Sequence, residues 1–128
     1  MGASDVVVRE ADPRDLPAIM NVLDGANLEA DAGAIRERIV AGNVLVATAD
    51  GTVVGVLVYR HRDDAVHVDT VAVRRRFRDR GVGTALVEAV AGSGSTLTAT
   101  FDPPVRPFYE ALGFDIEATS DGRLRGRR

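Results

Sequence analysis

The sequence lacks two residue types that carry much of enzyme chemistry. Its 128 residues include no cysteine, which excludes disulfides, thiolate nucleophiles and zinc sites built on sulfur. There is no lysine either, because all 16 basic residues are arginine, and this excludes a lysine Schiff base and the lysine-dependent phosphate loop. Any chemistry must therefore come from carboxylates, two tyrosines, two histidines, the arginines and the backbone.

Long apolar runs and a strong excess of one charge are also missing. No stretch approaches the ~20 apolar residues of a membrane-spanning helix, and the first residues lack the basic and apolar segments of a secretory signal. A net charge of −3 gives no general attraction to nucleic acid or to anionic membranes. We therefore expect a single domain over residues 1–128, located in the cytoplasm, with no membrane partner and no general affinity for nucleic acid.

The hydrophobic periodicity predicts a mixed sheet packed by helices. A β-branched strand begins at Val6, and two amphipathic helices follow, the second over about residues 31–41. Asp50-Gly51 separates two strands and is a strong hairpin signal, and a further strand covers residues 65–73. The predicted order is β-α-α-β-β-β-α-β-α-β, which is an α/β fold class with a mixed α+β sheet flanked by helices.

The segment after the strand over residues 65–73 carries the strongest chemical signal. An arginine-rich stretch leads into Gly81-x-Gly83 and then into a helix. A helix N-terminus presents unpaired N–H groups and the positive end of the helix dipole, so it attracts phosphate. Glycine lets the backbone approach an anion closely, and Arg78 and Arg80 can add charge-assisted contacts. The pattern predicts pyrophosphate binding at a helix N-terminus.

Three other interpretations of this segment stay open. A dinucleotide-binding loop needs a small residue where this chain has Leu86. A nucleic-acid patch would use the arginines of residues 74–80, although no series of stacking aromatic residues accompanies them. The segment can also be a structural turn with a solvated arginine face.

Two blocks of the sequence carry a family resemblance. The first reads Arg78-Asp79-Arg80-Gly81-Val82-Gly83, and the second reads Pro107-Phe108-Tyr109-Glu110-Ala111-Leu112-Gly113-Phe114. They resemble the coenzyme loop and the Phe-Tyr-Glu-x-Leu-Gly-Phe block of the GNAT superfamily of acyl-CoA-dependent N-acetyltransferases. The resemblance implies a GNAT fold and acetyl transfer from acetyl-CoA to a primary amine by direct attack, without a metal. The alternative is an acyl-CoA-binding or regulatory module that keeps the fold without turnover.

The resemblance also implies roles for individual residues. Coenzyme binding falls on the end of the strand over residues 65–73, on the loop and on the first helical turn: Val71, Ala72, Val73, Arg78, Asp79, Arg80, Gly81, Val82, Gly83 and Thr84. Tyr109 would protonate the departing thiolate, as a tyrosine of pKa ~10 can do late in a reaction. Asp69 would take the proton of an ammonium acceptor, directly or through water. His67, on the same face of the strand, is the alternative base. An acceptor amine of low pKa would need no base at all.

The sequence signals for an acceptor pocket are less specific than those for coenzyme binding. Acidic residues between the two early helices favour a cationic amine, although helix capping explains them equally well; the candidates are Asn27, Leu28, Glu29 and Asp31. Many family members carry asparagine seven residues before the tyrosine, where this chain has Asp102. A carboxylate at that place is poorly suited to approach phosphate. A homodimer is compatible with the edge strands of such a sheet.

Overall fold

A computed structural model describes residues 6–26, 30–92 and 96–128. Its helices and strands, in chain order, are β1 (Val6–Glu10), α1 (Leu16–Gly25), α2 (Ala32–Val40), β2 (Val44–Ala49), β3 (Thr52–Arg62), β4 (Ala65–Val73), α3 (Val82–Ala91), β5 (Thr96–Phe101), α4 (Arg106–Ala111), β6 (Asp115–Ala118) and β7 (Leu124–Arg127). The predicted α/β class is confirmed. None of the described helices is long and apolar enough to cross a membrane.

The strands form one mixed sheet in the order β1-β2-β3-β4-β5-β7-β6. β4 and β5 run parallel, with residues 65–68 paired to residues 96–99. β7 pairs antiparallel with both β5 and β6. For residues 124–128 the sequence predicts either a short stub or a frayed end, whereas the structure places β7 there, between β5 and β6.

The chain divides into two compact units. The first unit comprises Met1–Val58 and Thr70–Val90, and the second unit comprises Tyr59–Asp69 and Ala91–Arg128. The expectation of a single domain stays a prediction.

In the first unit, helices pack on both faces of the strands. α1 and α2 cover one face with a cluster of buried residues: Ile19, Val22, Leu23, Ile35, Ile39, Val44, Val46, Val53, Val56, Val58 and Ala72. On the other face, α3 approaches β3 so closely that a Cβ added to Gly55 would lie 2.9 Å from a Val82 methyl group. Glycine is therefore the residue that this close helix–strand contact requires.

In the second unit, α4 packs on one face. Phe101 of β5, Tyr109 of α4 and Phe114 are all buried, and a Cβ added to Gly126 of β7 would lie 3.1 Å from Phe114 and 3.2 Å from Phe101. Side chains alternate along a strand, so Thr98 and Thr100 face the opposite side from Phe101. A cleft opens on that opposite side.

Candidate functional site

The arginine-rich loop is anchored to the first unit before it reaches α3. Arg74 donates from its backbone N–H to the carbonyl of Val54 at 2.8 Å, and from Nε to the carbonyl of Val53 at 2.9 Å. Arg78 donates from Nε to the carbonyl of Val73 at 3.0 Å. These bonds hold the backbone on both sides of the 3-10 turn between β4 and the loop.

The backbone then turns through two residues in the left-handed region. Asp79 has φ 62° and Gly81 has φ 82°. The Gly81 carbonyl accepts from the Ala85 N–H at 2.9 Å, so the helical bonding of α3 starts at this glycine. The first N–H groups of a helix have no partner within it, and a Cβ added to Gly81 would meet no atom within 4 Å. The N-terminus of α3 is thus open to an anion.

The predicted coenzyme residues occupy the end of β4, this loop and the first turn of α3. Arg78, Asp79 and Arg80 are exposed, and the Arg80 guanidinium lies 5.7 Å from the centre of the Phe77 ring. Ala72 is buried in the cluster under α1 and α2, whereas Val71 and Val73 are half-buried. Gly81 to Thr84 lead into the helix, with Val82 and Gly83 buried. The segment therefore combines backbone donors with exposed guanidinium groups, as diphosphate binding requires.

Tyr109 lies in an aromatic cluster of the second unit. Its ring stacks on Phe101 at 4.1 Å with an interplanar angle of 17°, and meets Phe108 and Phe114 edge-on at 5.0 and 5.1 Å. Such contacts fix the orientation of the ring. The side chain belongs to α4, and Gly113, at φ 87°, lies two residues beyond the end of that short helix.

Tyr109 is only 4% exposed, so its hydroxyl belongs to a largely buried side chain. Burial raises the pKa of Tyr109 to about 12. The residue thus presents a protonated hydroxyl on a rigid ring.

Asp102 forms an ion pair with an arginine of this chain. Its carboxylate accepts from Nε of Arg123 at 3.0 Å, and Nη2 of the same arginine donates to the Thr100 carbonyl at 3.4 Å. This arginine joins the end of β5 to the turn before β7. The carboxylate that departs from the family pattern is therefore used in an exposed ion pair.

Asp69 and His67 lie on the same face of β4, as predicted, and both have polar neighbours. Nη2 of Arg60 lies 3.0 Å from Oδ1 of Asp69. Nε2 of His67 lies 3.8 Å from the same oxygen, and Nδ1 of His67 lies 2.7 Å from Oγ1 of Thr98. Desolvation lowers the pKa of His67, although Asp69 opposes that shift. The imidazole is therefore neutral at neutral pH.

The cleft of the second unit has a volume of about 880 Å³. His67 and three threonines of β5 line it together with charged residues of both signs: Arg62, Asp63, Asp64, Asp115, Glu117, Arg125 and Arg127. Four of these are acidic and three are basic, so the cleft suits a polar ligand that carries a cationic group.

Of the four predicted acceptor residues, only Asp31 belongs to the described part of the chain. Asn27, Leu28 and Glu29 lie outside the described residues. Asp31 caps α2, because its Oδ1 accepts from the Gly33 N–H at 3.1 Å. Within the described part of the chain, no group of three His, Asp or Glu side chains could hold a metal ion.

Sequence reasoning missed Thr98 and Arg60. Thr98 faces His67 because the two residues are partners in the parallel pairing of β4 and β5. The register between parallel strands depends on tertiary packing, so no local signal in the sequence could have paired them. Arg60 follows the apolar part of β3. Arginine is common at a solvated strand end, so its presence there gave no signal of a functional contact.

Comparison with known proteins identifies the family. The model of the acetyltransferase (GNAT) domain matches residues 41–116, which is more than half of the chain. The chain belongs to the GNAT acetyltransferase family. The matched GNAT region contains β4, the arginine-rich loop, α3 and Tyr109. A search of curated protein sequences gives no significant match.

Several solved structures share the fold over nearly the whole chain. Ard1 from Thermoplasma volcanium has 23% identity and a TM-score of 0.81, with 96% of this chain and 95% of that chain covered. PaiA N-acetyltransferase from Thermoplasma acidophilum, in complex with coenzyme A, has 14% identity and a TM-score of 0.83, covering 96% and 98%. Arabidopsis thaliana Naa50, in complex with the bisubstrate analogue CoA-Ac-MVNAL, has 16% identity and a TM-score of 0.77, covering 96% and 97%.

Proposed function

We propose that this protein transfers an acetyl group from acetyl-CoA to a primary amine by direct attack of the amine on the thioester. The observation that carries the proposal is Tyr109, whose ring is held on three sides by aromatic residues and whose pKa of about 12 keeps its hydroxyl protonated. A rigid, protonated donor of this kind is what a departing thiolate needs.

The coenzyme diphosphate is assigned to the loop of the first unit. The N–H groups at the start of α3 supply donors, and Arg80 supplies positive charge beside them. Gly81 leaves the approach open, since its φ of 82° and lack of a Cβ keep side chains away from the anion. The pantetheine arm is assigned to the backbone of residues 71–73, where the Val73 carbonyl already accepts from Arg78. The coenzyme A complex of the Thermoplasma acidophilum relative supports this ligand class.

Tyr109 is assigned to the coenzyme sulfur as a hydrogen-bond donor. Its pKa of about 12 lies above the ~8.5 of an ordinary thiol, so complete ionisation of the tyrosine by a thiolate is unfavourable. The hydroxyl instead stabilises negative charge on sulfur and passes on a proton that the attacking nitrogen loses. This role needs the hydroxyl proton but no tyrosinate at any stage.

The amine side requires removal of a proton, because an alkylamine of pKa ~10 is almost fully protonated at neutral pH. Asp69 supplies negative charge at this point, held by Arg60 at 3.0 Å. The absence of cysteine closes a route through an acetylated thiol of the protein. The peptide-containing analogue bound by Arabidopsis Naa50 supports an amine acceptor as the class. Cytoplasmic location and a homodimer stay predictions.

Release of coenzyme A from acetyl-CoA, followed with a thiol-reactive dye, tests the proposal. The protein has no cysteine, so the dye reports only the coenzyme. A panel should include alkylamines, amino acids, polyamines, aminoglycosides and peptides. The proposal expects amine-dependent thiol release together with the acetylated amine by mass spectrometry. Tight binding of acetyl-CoA with no amine-dependent release from any acceptor would instead support a binding module without turnover.

A further inference from the structure

Asp79 is an acidic residue in the loop to which the coenzyme diphosphate is assigned. It lies between Arg78 and Arg80, and all three side chains are exposed. Adjacent Cα atoms are about 3.8 Å apart, so the Cα of Asp79 lies within about 7.6 Å of the Cα of Gly81. A negative charge so near the start of α3 repels an anion bound there, because the Debye length at physiological salt is about 8 Å.

The backbone limits which residues fit at position 79. Asp79 has φ 62°, which lies in the left-handed region. Glycine adopts this region without strain, and asparagine and aspartate adopt it more readily than other residues with a Cβ. Of these three residues only aspartate carries a charge. The backbone therefore explains a member of this small group, but it does not explain why the charged member is present.

Both arginines beside Asp79 have other contacts. Arg78 donates from Nε to the Val73 carbonyl at 3.0 Å. The Arg80 guanidinium lies 5.7 Å from the centre of the Phe77 ring. Neither of these contacts involves the Asp79 carboxylate. Its charge is therefore placed to act on an anion that binds at the start of α3.

We propose that the charge of Asp79 weakens coenzyme binding and speeds the release of coenzyme A. The inference rests on the proposed function, because it takes the loop as the site of the coenzyme diphosphate. Acetyl-CoA and coenzyme A carry the same diphosphate, so the repulsion acts on both to the same extent. Repulsion between one carboxylate and a diphosphate across about 8 Å of water corresponds to about fivefold in Kd.

Asp79→Asn tests the proposal, because it removes the charge and keeps a residue suited to the left-handed backbone. Calorimetry should give a Kd about fivefold lower for acetyl-CoA, and lower by the same factor for coenzyme A. Inorganic pyrophosphate carries the diphosphate alone and should also bind more tightly. The dissociation rate of coenzyme A, measured by stopped flow, should fall.

Asp50→Asn is the matched control. Asp50 is also an exposed aspartate at positive φ, 52°, and it lies in the hairpin turn between β2 and β3. The substitution makes the same chemical change on the same kind of backbone, outside the coenzyme loop. It should leave every one of these binding constants as in the wild type.

Salt dependence separates repulsion from a change in the shape of the loop. Added salt screens charges at the surface, and the Debye length falls from about 30 Å at about 0.01 M to about 3 Å at about 1 M. The difference in Kd between the wild type and Asp79→Asn should therefore shrink over this range. A difference caused by loop shape would persist at high salt.

The outcomes distinguish this inference from the proposed function. If the wild type binds acetyl-CoA, an equal or higher Kd in Asp79→Asn, an unchanged dissociation rate of coenzyme A, or a tightening that persists at high salt would overturn the role of Asp79 alone. Amine-dependent turnover is measured separately. Its absence with every acceptor would overturn the proposed function, while the binding constants would still decide the role of Asp79.

Discussion

The two units use their strands in different ways. In the first unit, helices pack on both faces of the strands, and the candidate binding groups are backbone N–H donors at the start of α3. In the second unit, α4 packs on one face and a polar cleft opens on the other, lined by His67 and Thr98. Under the proposed function, binding in the first unit would depend on backbone geometry, whereas chemistry in the second would depend on single side chains. Substitutions should separate the two properties.

Tyr109→Phe gives the largest expected effect and tests the chemistry of the second unit. Loss of the hydroxyl should lower kcat about 100-fold or more, because the departing sulfur loses its donor. The Kd for acetyl-CoA should change less than about threefold, since the ring and its aromatic contacts remain. Stopped assays of thiol release and calorimetric binding check the two numbers. Tyr59→Phe is the matched control, and a wild-type kcat in Tyr109→Phe would show that the hydroxyl is not used.

Gly126→Ala tests whether the aromatic cluster is as tightly packed as the structure indicates. The new Cβ would lie 3.1 Å from Phe114 and 3.2 Å from Phe101, so the rings must move. We expect a loss of about 1–3 kcal/mol in the free energy of unfolding by urea. Gly25→Ala is the control, because no atom lies within 4 Å and alanine favours a helix end there by up to about 1 kcal/mol. Equal stabilities would indicate a loosely packed cluster.

Arg80→Glu tests binding by the first unit. Replacing the positive charge beside the start of α3 should weaken acetyl-CoA binding about tenfold, in line with the loss of one charge-assisted contact. Arg76→Glu makes the same change on an exposed arginine of the preceding 3-10 turn and should alter Kd by less than about threefold. Calorimetry with acetyl-CoA measures both. Equal weakening in the two variants would mean that only the general charge of the loop matters.

As the pH falls, the first loss in the free energy of unfolding should come from a group of the second unit. Desolvation lowers the pKa of His67 below its usual 6.5, so the unfolded chain binds a proton first as the pH falls. Stability from this group is complete above pH 6.5 and is lost on acidification below it. In the first unit, the hydrogen bond from Arg9 lowers the pKa of Asp15, so that loss starts only below about pH 4.

Melting temperatures between pH 7 and pH 5 check this prediction. The wild type should lose stability over that range, and His67→Gln should lose clearly less. His61→Gln, with its exposed ring, should follow the wild type. An unchanged pH dependence in His67→Gln would assign the acid loss to other groups.

The sequence predicts the parts of the fold that rest on local chemistry. Asp50-Gly51 forms the expected hairpin turn, with both residues at positive φ, and Asp12 caps the turn before α1 as its position suggests. The strand β7 was predicted only as a stub, because its residues 124–127 alternate leucine and glycine with arginine and gain their place from pairing with β5 and β6. The short alternation is compatible with a strand, but it does not specify which strands will pair with it.

The residues of the candidate site also fall into those that local motifs reveal and those that depend on tertiary structure. The loop over residues 78–84 and Tyr109 can be located from motifs, because their spacing is local. The Thr98–His67 pair cannot, since it depends on the register of two parallel strands. Asp31 caps α2, which is the alternative that the sequence offers for this residue, and its place in an acceptor pocket stays a prediction.

The melting temperature with and without acetyl-CoA tests the central claim most directly. Ligand at 100 times Kd adds about 2.7 kcal/mol to the folded state, which raises the Tm by several degrees for a domain of this size. The account predicts that rise for the wild type and for Tyr109→Phe, and a clearly smaller one for Arg80→Glu at the same concentration. ATP and NAD serve as controls. No rise in the wild type over a wide range of acetyl-CoA concentration would contradict coenzyme binding and the function built on it.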